Sequence, residues 1–180
     1  PYESPDTTHY TVADRFGNVV SNTYTLLSNF GSGVVAGDTG ILLNNNMANL
    51  DAKPGTLNHF GLIGSEANAL MPRKRPLNSM TPTLLFREGR PWLATGTPGG
   101  TRVMTILLQV ILNVVDHGMN LAEATAARRM HHQLVPNLLQ VEKGHNRDTL
   151  RRLEAMGHVL SEENAMGSAQ SILMEGGLLY

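Results

Sequence analysis

A layered α+β domain is the fold class this sequence predicts, on three observations. Two β-hairpin signatures occupy the first hundred residues, a long helical period follows the second of them, and short strands resume near the end. Strands, then helices, then strands again is the order of a fold in which helices cover a sheet. With 180 residues and 41% hydrophobic content the chain is large enough for one substantial core, so a single domain is expected.

The first hairpin is read from Tyr10-Thr11-Val12-Ala13-Asp14, a turn at Arg15-Phe16-Gly17-Asn18, and a second strand from Val19 to Leu26, because β-branched residues flank a Gly-Asn turn signal. Ahead of it, Tyr2-Glu3-Ser4-Pro5-Asp6 is a polar, proline-bearing lead-in that reads as exposed. A threonine hydroxyl is a poor nucleophile at neutral pH, and it is activated when it becomes the first residue of a chain, with its own α-amine as base. Cleavage between Asp6 and Thr7 would leave Thr7 at the rigid end of a strand. The plainer reading is that Thr7 and Thr8 simply start that strand. Antiparallel pairing returns Tyr24-Thr25-Leu26 beside Thr7, which makes Thr25 either a supporting hydroxyl or an ordinary strand threonine.

Four glycines between Gly31 and Gly40 predict sharp turns or a close backbone approach, and no Lys-Ser/Thr pair follows that would make a phosphate loop. Ile41-Leu42-Leu43 is expected as a strand, and the amide-rich Asn44–Asn49 stretch as turns and caps or as ligand contacts. From Asp51 to Pro76 periodicity fades and proline and glycine rise, the make-up of a long lid or binding loop. Arg73-Lys74-Arg75 within it reads as a solvated cluster.

The second hairpin pairs Thr83-Leu84-Leu85-Phe86 with Trp92-Leu93-Ala94-Thr95 around Glu88-Gly89-Arg90. Thr97-Pro98-Gly99-Gly100 then leads into a helix over Thr101–Asp116, apolar at Val103, Ile106, Leu107, Val110, Ile111, Val114 and Val115 and stopped by Gly118. A Gly-Gly pair at a helix start exposes N–H groups at the positive end of the helix dipole, as an oxyanion hole requires; a plain turn is the other reading. Asn120 caps a helix from Leu121 to Ala127, and His131-His132 beyond it are expected at the surface or as helix-terminal cations. A helix over Arg147–Met156, a strand His158-Val159-Leu160, a strand Ala169–Met174 and a short apolar strand before Tyr180 complete the order.

Fourteen basic against fifteen acidic residues give a net charge of -1, so no whole-chain field draws nucleic acid or an anionic membrane. The absence of cysteine excludes disulfides and thiolate chemistry and leaves the compartment open. No apolar run approaches a membrane span, so a soluble piece is expected. No further histidine or carboxylate stands at ligand spacing from His131-His132, so no metal and no cofactor are expected.

Taken together, Thr7-Thr8-His9-Tyr10, Tyr24-Thr25-Leu26, Gly40 to Asn45, Ala52-Lys53-Pro54-Gly55, Lys74-Arg75-Pro76-Leu77, Thr97-Pro98-Gly99-Gly100 and Ala165-Met166-Gly167-Ser168 resemble, in order and in register, the small subunit of γ-glutamyltranspeptidases. The resemblance implies an N-terminal-nucleophile hydrolase, a four-layer αββα sandwich cut from a precursor before Thr7. Residues 1–6 would be precursor linker and 7–180 the catalytic small subunit with a clipped C-terminus. Its partner would be the large subunit from the same precursor, with a periplasmic or secreted location favoured. The implied catalytic residues are Thr7, Thr25, Gly99 and Gly100, acting on γ-glutamyl amides such as glutathione. The implied substrate-binding residues are Asn46, Asn49, Asn78 and Ser79, with Phe60 where a lid tyrosine is common.

Besides Phe60, and Asn78 in what is usually a serine pair, three positions at the α-amine contacts depart from the pattern. Leu27 stands for an asparagine, Asn46 for glutamine or glutamate and Asn49 for aspartate, so none of the three is charged and Leu27 offers a substrate α-amine no acceptor either. A glutaryl-type amide, as taken by the cephalosporin acylase branch, is therefore the alternative substrate, and a catalytically silent binding or structural subunit the alternative from another class.

Overall fold

The computed structural model describes residues 7–58 and 60–180, so the lead-in through Asp6 lies outside the described residues. The α+β class is borne out. The first hairpin is β1 (Thr7–Ala13) and β2 (Val19–Thr25), in a register that sets Thr7 opposite Thr25. Asp14 closes its turn by accepting the N–H groups of Phe16 and Asn18 at 2.8 and 2.9 Å. The second hairpin is β3 (Thr83–Arg87) and β4 (Arg90–Gly96); β8 (Gln170–Glu175) pairs antiparallel with β4 and carries β9 (Leu178–Leu179) on its other edge.

Pleating sends alternate residues of β1 to opposite faces. His9 and its partner Thr23 face inward and are buried, and the hairpin lies on β4 and β8, where Ser21 Oγ donates to Thr95 O at 2.9 Å and Thr11 Oγ1 to Gln170 O at 3.0 Å. The outward residues Tyr10, Val12, Val20 and Tyr24 are 47 to 57% exposed, an apolar face that the described residues do not cover. Helix α1 (Val103–Val115) buries Val103, Ile106, Leu107 and Val110, the stripe that the 3.6-residue period foretold. With α2 (Leu121–Ala126) it covers the second sheet, where Val114 and Leu121 pack on the Trp92, Leu93 and Leu173 core. Asn120 and Glu123 cap α2 reciprocally, as the sequence indicated.

A third sheet was read in the sequence only through its last strand. It pairs β5 (Met130–His131) with β6 (Leu139–Glu142), and β6 runs parallel to β7 (Leu160–Glu163) across the crossover helix α3 (Arg147–Ala155). Gln109 of α1 fastens this sheet by donating to Met130 O at 2.7 Å and accepting Met130 N–H at 2.9 Å. Two-residue and four-residue strands leave no alternating run to detect.

Three expectations are corrected. The strand expected at His158–Leu160 starts at Leu160, because Gly157 turns with φ 95° and His158 N–H closes helix α3 on Leu153 O at 3.1 Å. The strand expected at Ile41–Leu43 shrinks to one bridge, Val35 to Leu42, inside a tight turn where Ala36 N–H donates to Ile41 O at 2.9 Å. His131 is not a surface residue: β5 carries it inward to 4% exposure. Among the described residues no helix is long and apolar enough to cross a membrane.

Candidate active site

The β1–β2 register, not the turn alone, brings the two threonines together. Thr7 Oγ1 donates to Thr25 Oγ1 at 3.2 Å, and the same Thr25 oxygen accepts Leu27 N–H at 2.9 Å. Leu27 holds φ 77°, a left-handed conformation that asparagine adopts more readily than leucine. The bend that carries the chain away is fixed by Asn45, whose Oδ1 accepts Ser28 N–H at 3.2 Å while its N–H donates to Leu26 O at 3.1 Å.

From the second sheet, β4 ends at Gly96 and Thr97-Pro98 pass buried into Gly99 (φ 146°) and Gly100 (φ 59°). A 3-10 turn over Gly100–Arg102 then enters α1 with no side-chain cap, so the start of the helix presents backbone N–H groups that its own ladder does not use. A cavity of about 260 Å³ joins this turn to the hairpin mouth, and Thr7, Thr25, Gly99 and Gly100 all line it. Leu27, Phe60, Asn78 and Ser79 also line it.

Asn46 and Asn49 are not among its lining residues. They form the 3-10 turn Asn46–Asn49, where Asn46 Oδ1 is buried without a hydrogen-bond partner among the described residues and Asn49 O accepts from Asn68 Nδ2 at 2.7 Å. The sequence reading missed Arg102, a cation in the cavity wall held 3.7 Å from Glu163. Its place directly after the glycine pair was the available signal. It also missed Gly167, which belongs to a motif already singled out.

A hydroxyl layer fixes the hairpin against the second sheet. Buried His9 meets Thr23 Oγ1 at 2.6 Å through Nδ1 and Thr11 Oγ1 at 3.1 Å through Nε2. Its ring fills the space over Gly96, where a Cβ would come within 2.0 Å of the imidazole. Burial lowers the His9 pKa, so a neutral ring is favoured here. Glycine at 96 thus seats His9, and His9 seats the strand that begins with Thr7.

His131 has a second role as a buried linker: Nδ1 meets Thr105 Oγ1 at 2.8 Å and Nε2 meets Gln133 Oε1 at 3.1 Å. Burial is the main cause that lowers its pKa; Gln133 opposes it, and Arg102 and His132 add to it. Gln133 also accepts from Thr101 Oγ1 at 2.9 Å and donates to Phe60 O at 3.4 Å, so the loop carrying Phe60 is tied to the helix start. The described residues contain no cluster of three or more His, Cys, Asp or Glu fit to hold a metal ion.

A hydroxyl pair and a glycine pair at a helix start line one cavity, a combination that suits acyl transfer. The family model described as gamma-glutamyltranspeptidase matches residues 1–180. This chain belongs to the γ-glutamyltranspeptidase family. The glutathione hydrolase proenzyme of Escherichia coli (strain K12) is 55% identical over 181 residues, covering 100% of this chain and 31% of its own length. The solved γ-glutamyltranspeptidase from Pseudomonas nitroreducens complexed with L-DON superposes with a TM-score of 0.89 at 44% identity, over 96% of this chain and 92% of that one. The acylase ACY 1 proenzyme of Pseudomonas sp. (strain V22) is 40% identical over 156 residues, which are 87% of this chain and 26% of that protein. The chain thus spans under a third of the length of these two curated relatives. As a γ-glutamyltranspeptidase-family chain it has the N-terminal-nucleophile hydrolase fold, and its described residues form the successive β, β and α layers.

Proposed function

We propose that this chain is the nucleophile-bearing part of a γ-glutamyl amide hydrolase and transferase, freed at Thr7 by cleavage of a precursor. One observation carries the reading: a single cavity holds the Thr7–Thr25 hydroxyl pair and the Gly99–Gly100 turn. In the proposed mechanism the α-amine of Thr7 takes the hydroxyl proton as Oγ1 attacks the γ-glutamyl carbonyl carbon. The carbonyl oxygen gains the negative charge, which the N–H groups of Gly99 and Gly100 stabilise at the positive end of α1. Collapse expels the leaving amine with that proton and leaves an ester on Thr7, and water or an acceptor amine then releases the acyl group. Ser79 and Asn78 supply polar contacts to the acyl carboxylate, and Phe60 closes the cavity.

The partner in this reading is the remainder of the precursor. The apolar outer face of Tyr10, Val12, Val20 and Tyr24 favours a covering layer of that kind, since a sandwich sheet with large exposed side chains lacks its second cover. Intact-mass analysis of the complete protein tests the reading. A chain beginning at Thr7, lost in Thr7→Ala together with γ-glutamyl anilide hydrolysis, is expected; activity retained in Thr7→Ala would end it.

Leu27 favours a second substrate class at the same site. It lines the cavity and offers neither charge nor acceptor to an α-ammonium, so glutaryl amides fit better than they would beside an asparagine.

A further inference from the structure

The wall behind the glycine pair is held by a buried ion pair from the third sheet, and we propose that this pair, Arg129 and Glu142, positions the oxyanion donors. The inference rests on the acyl-transfer reading above and extends it to residues outside the cavity.

Both side chains are only 9% exposed, with Arg129 Nη1 3.4 Å from Glu142 Oε1. Between them they grip one peptide residue. Glu142 Oε1 accepts Met166 N–H, and Arg129 Nη1 donates to Met166 O at 3.2 Å. Glu142 Oε2 also accepts the N–H of Arg129 itself at 2.9 Å, and Arg129 Nη2 donates to Thr125 O at the end of α2. Met166 is 1% exposed, so its side chain anchors the same point by packing.

The next residue meets the oxyanion loop directly. Gly167 takes φ 71°, and a Cβ there would lie 2.6 Å from Thr97 Oγ1 and 2.7 Å from Pro98 O. Ser168 N–H donates to Thr97 Oγ1 at 2.9 Å, and that hydroxyl donates to Pro98 O at 2.7 Å. The Pro98 carbonyl and the Gly99 N–H belong to one planar peptide. Whatever fixes the first therefore aims the second, and the line of contacts runs from the ion pair through Met166, Gly167 and Thr97 to that peptide.

Stability alone does not call for charge at this place, because the desolvation cost of a buried ion pair often exceeds its attraction. An apolar pair of similar volume would fill the space but would offer no directed bonds to both sides of Met166. A guanidinium fork and a carboxylate supply those bonds at fixed angles.

The test uses the complete protein with its precursor. Glu142→Gln keeps the shape but turns one acceptor into a donor, and Arg129→Lys keeps the charge but loses the fork. For each variant, active sites are counted by burst titration before kcat and KM are measured. The expected result is a kcat per site at least about tenfold lower with KM within about twofold, the signature of a lost transition-state contact. Amide hydrogen exchange is read in parallel. Met166 and Ser168 should exchange at least about tenfold faster while the middle of α1 is unchanged, as a local opening requires. Unchanged kcat per site, or unchanged exchange at Met166 and Ser168, overturns the proposal. If one variant does not fold, the other carries both readouts. A wild-type protein with no turnover of γ-glutamyl or glutaryl anilides would instead defeat the acyl-transfer reading, and the exchange data would still decide whether the ion pair holds the loop.

Discussion

The Thr7 hydroxyl reaches the Thr25 hydroxyl across 3.2 Å because the two residues face each other at the last rung of an antiparallel hairpin. Thr25 in turn is oriented by Leu27 N–H, so the pair is fixed from the side of the chain that leaves the sheet. Replacing Thr25 by Val keeps the β-branched shape and removes the hydroxyl. The expected outcome is a kcat lowered on the order of 10²-fold with the fold intact, and Thr25→Ser should recover most of it. Steady-state kinetics and circular dichroism of the three proteins check this.

Gly100 has open space around its Cα, yet φ is 59°. Alanine there meets no neighbour and still has to adopt a left-handed backbone, at a cost of about 1–2 kcal/mol. If the backbone relaxes, the N–H turns away from the cavity. Gly100→Ala is therefore expected to lose kcat by on the order of 10²-fold while thermal stability falls only by that backbone cost. A kcat within twofold of wild type would remove Gly100 from the site.

Gly96 gives the opposite kind of prediction, because its fault would be contact and not φ. A Cβ would penetrate the His9 ring at 2.0 Å, and a ring hydrogen-bonded to Thr23 and Thr11 has nowhere to go. Gly96→Ala should destabilise the protein by about 3 kcal/mol, read as a lower urea midpoint, and reduce activity by unseating the strand of Thr7.

Leu27→Asn tests substrate class. Asparagine tolerates φ 77° better than leucine and brings an amide into the cavity. The ratio of kcat/KM for γ-glutamyl over glutaryl anilide should rise by about tenfold, corresponding to roughly 1.4 kcal/mol of added discrimination, without loss of melting temperature. An unchanged ratio would separate Leu27 from specificity.

Acid should loosen the hydroxyl layer. The folded pKa of His9 lies below its ordinary value of 6.5 through burial, so the unfolded chain binds the proton more readily. Stability from this group is then present above pH 6.5 and is lost as pH falls toward and through the folded value. Buried His131 acts in the same direction. Melting temperature should fall between neutral and mildly acid pH, and the His9→Asn, His131→Asn double variant should show a shallower slope.

The sequence by itself determined the local conformations. Gly17-Asn18 and Glu88-Gly89 set two hairpins, the Val103-Ile106-Leu107-Val110 stripe set α1, and Asn120 with Glu123 set the start of α2, because turn chemistry, period and caps act over a few residues. The facing of Thr7 and Thr25 was legible for the same reason, since a short hairpin fixes its own register. Tertiary structure alone decided that Gly99 and Gly100 share a cavity with that pair, that Asn46 and Asn49 do not line it, and that His131 is inside. It alone built the sheet of β5, β6 and β7 and brought Glu142 to Met166. Such contacts join residues far apart in the chain, and only the packing of three layers brings them within hydrogen-bond distance.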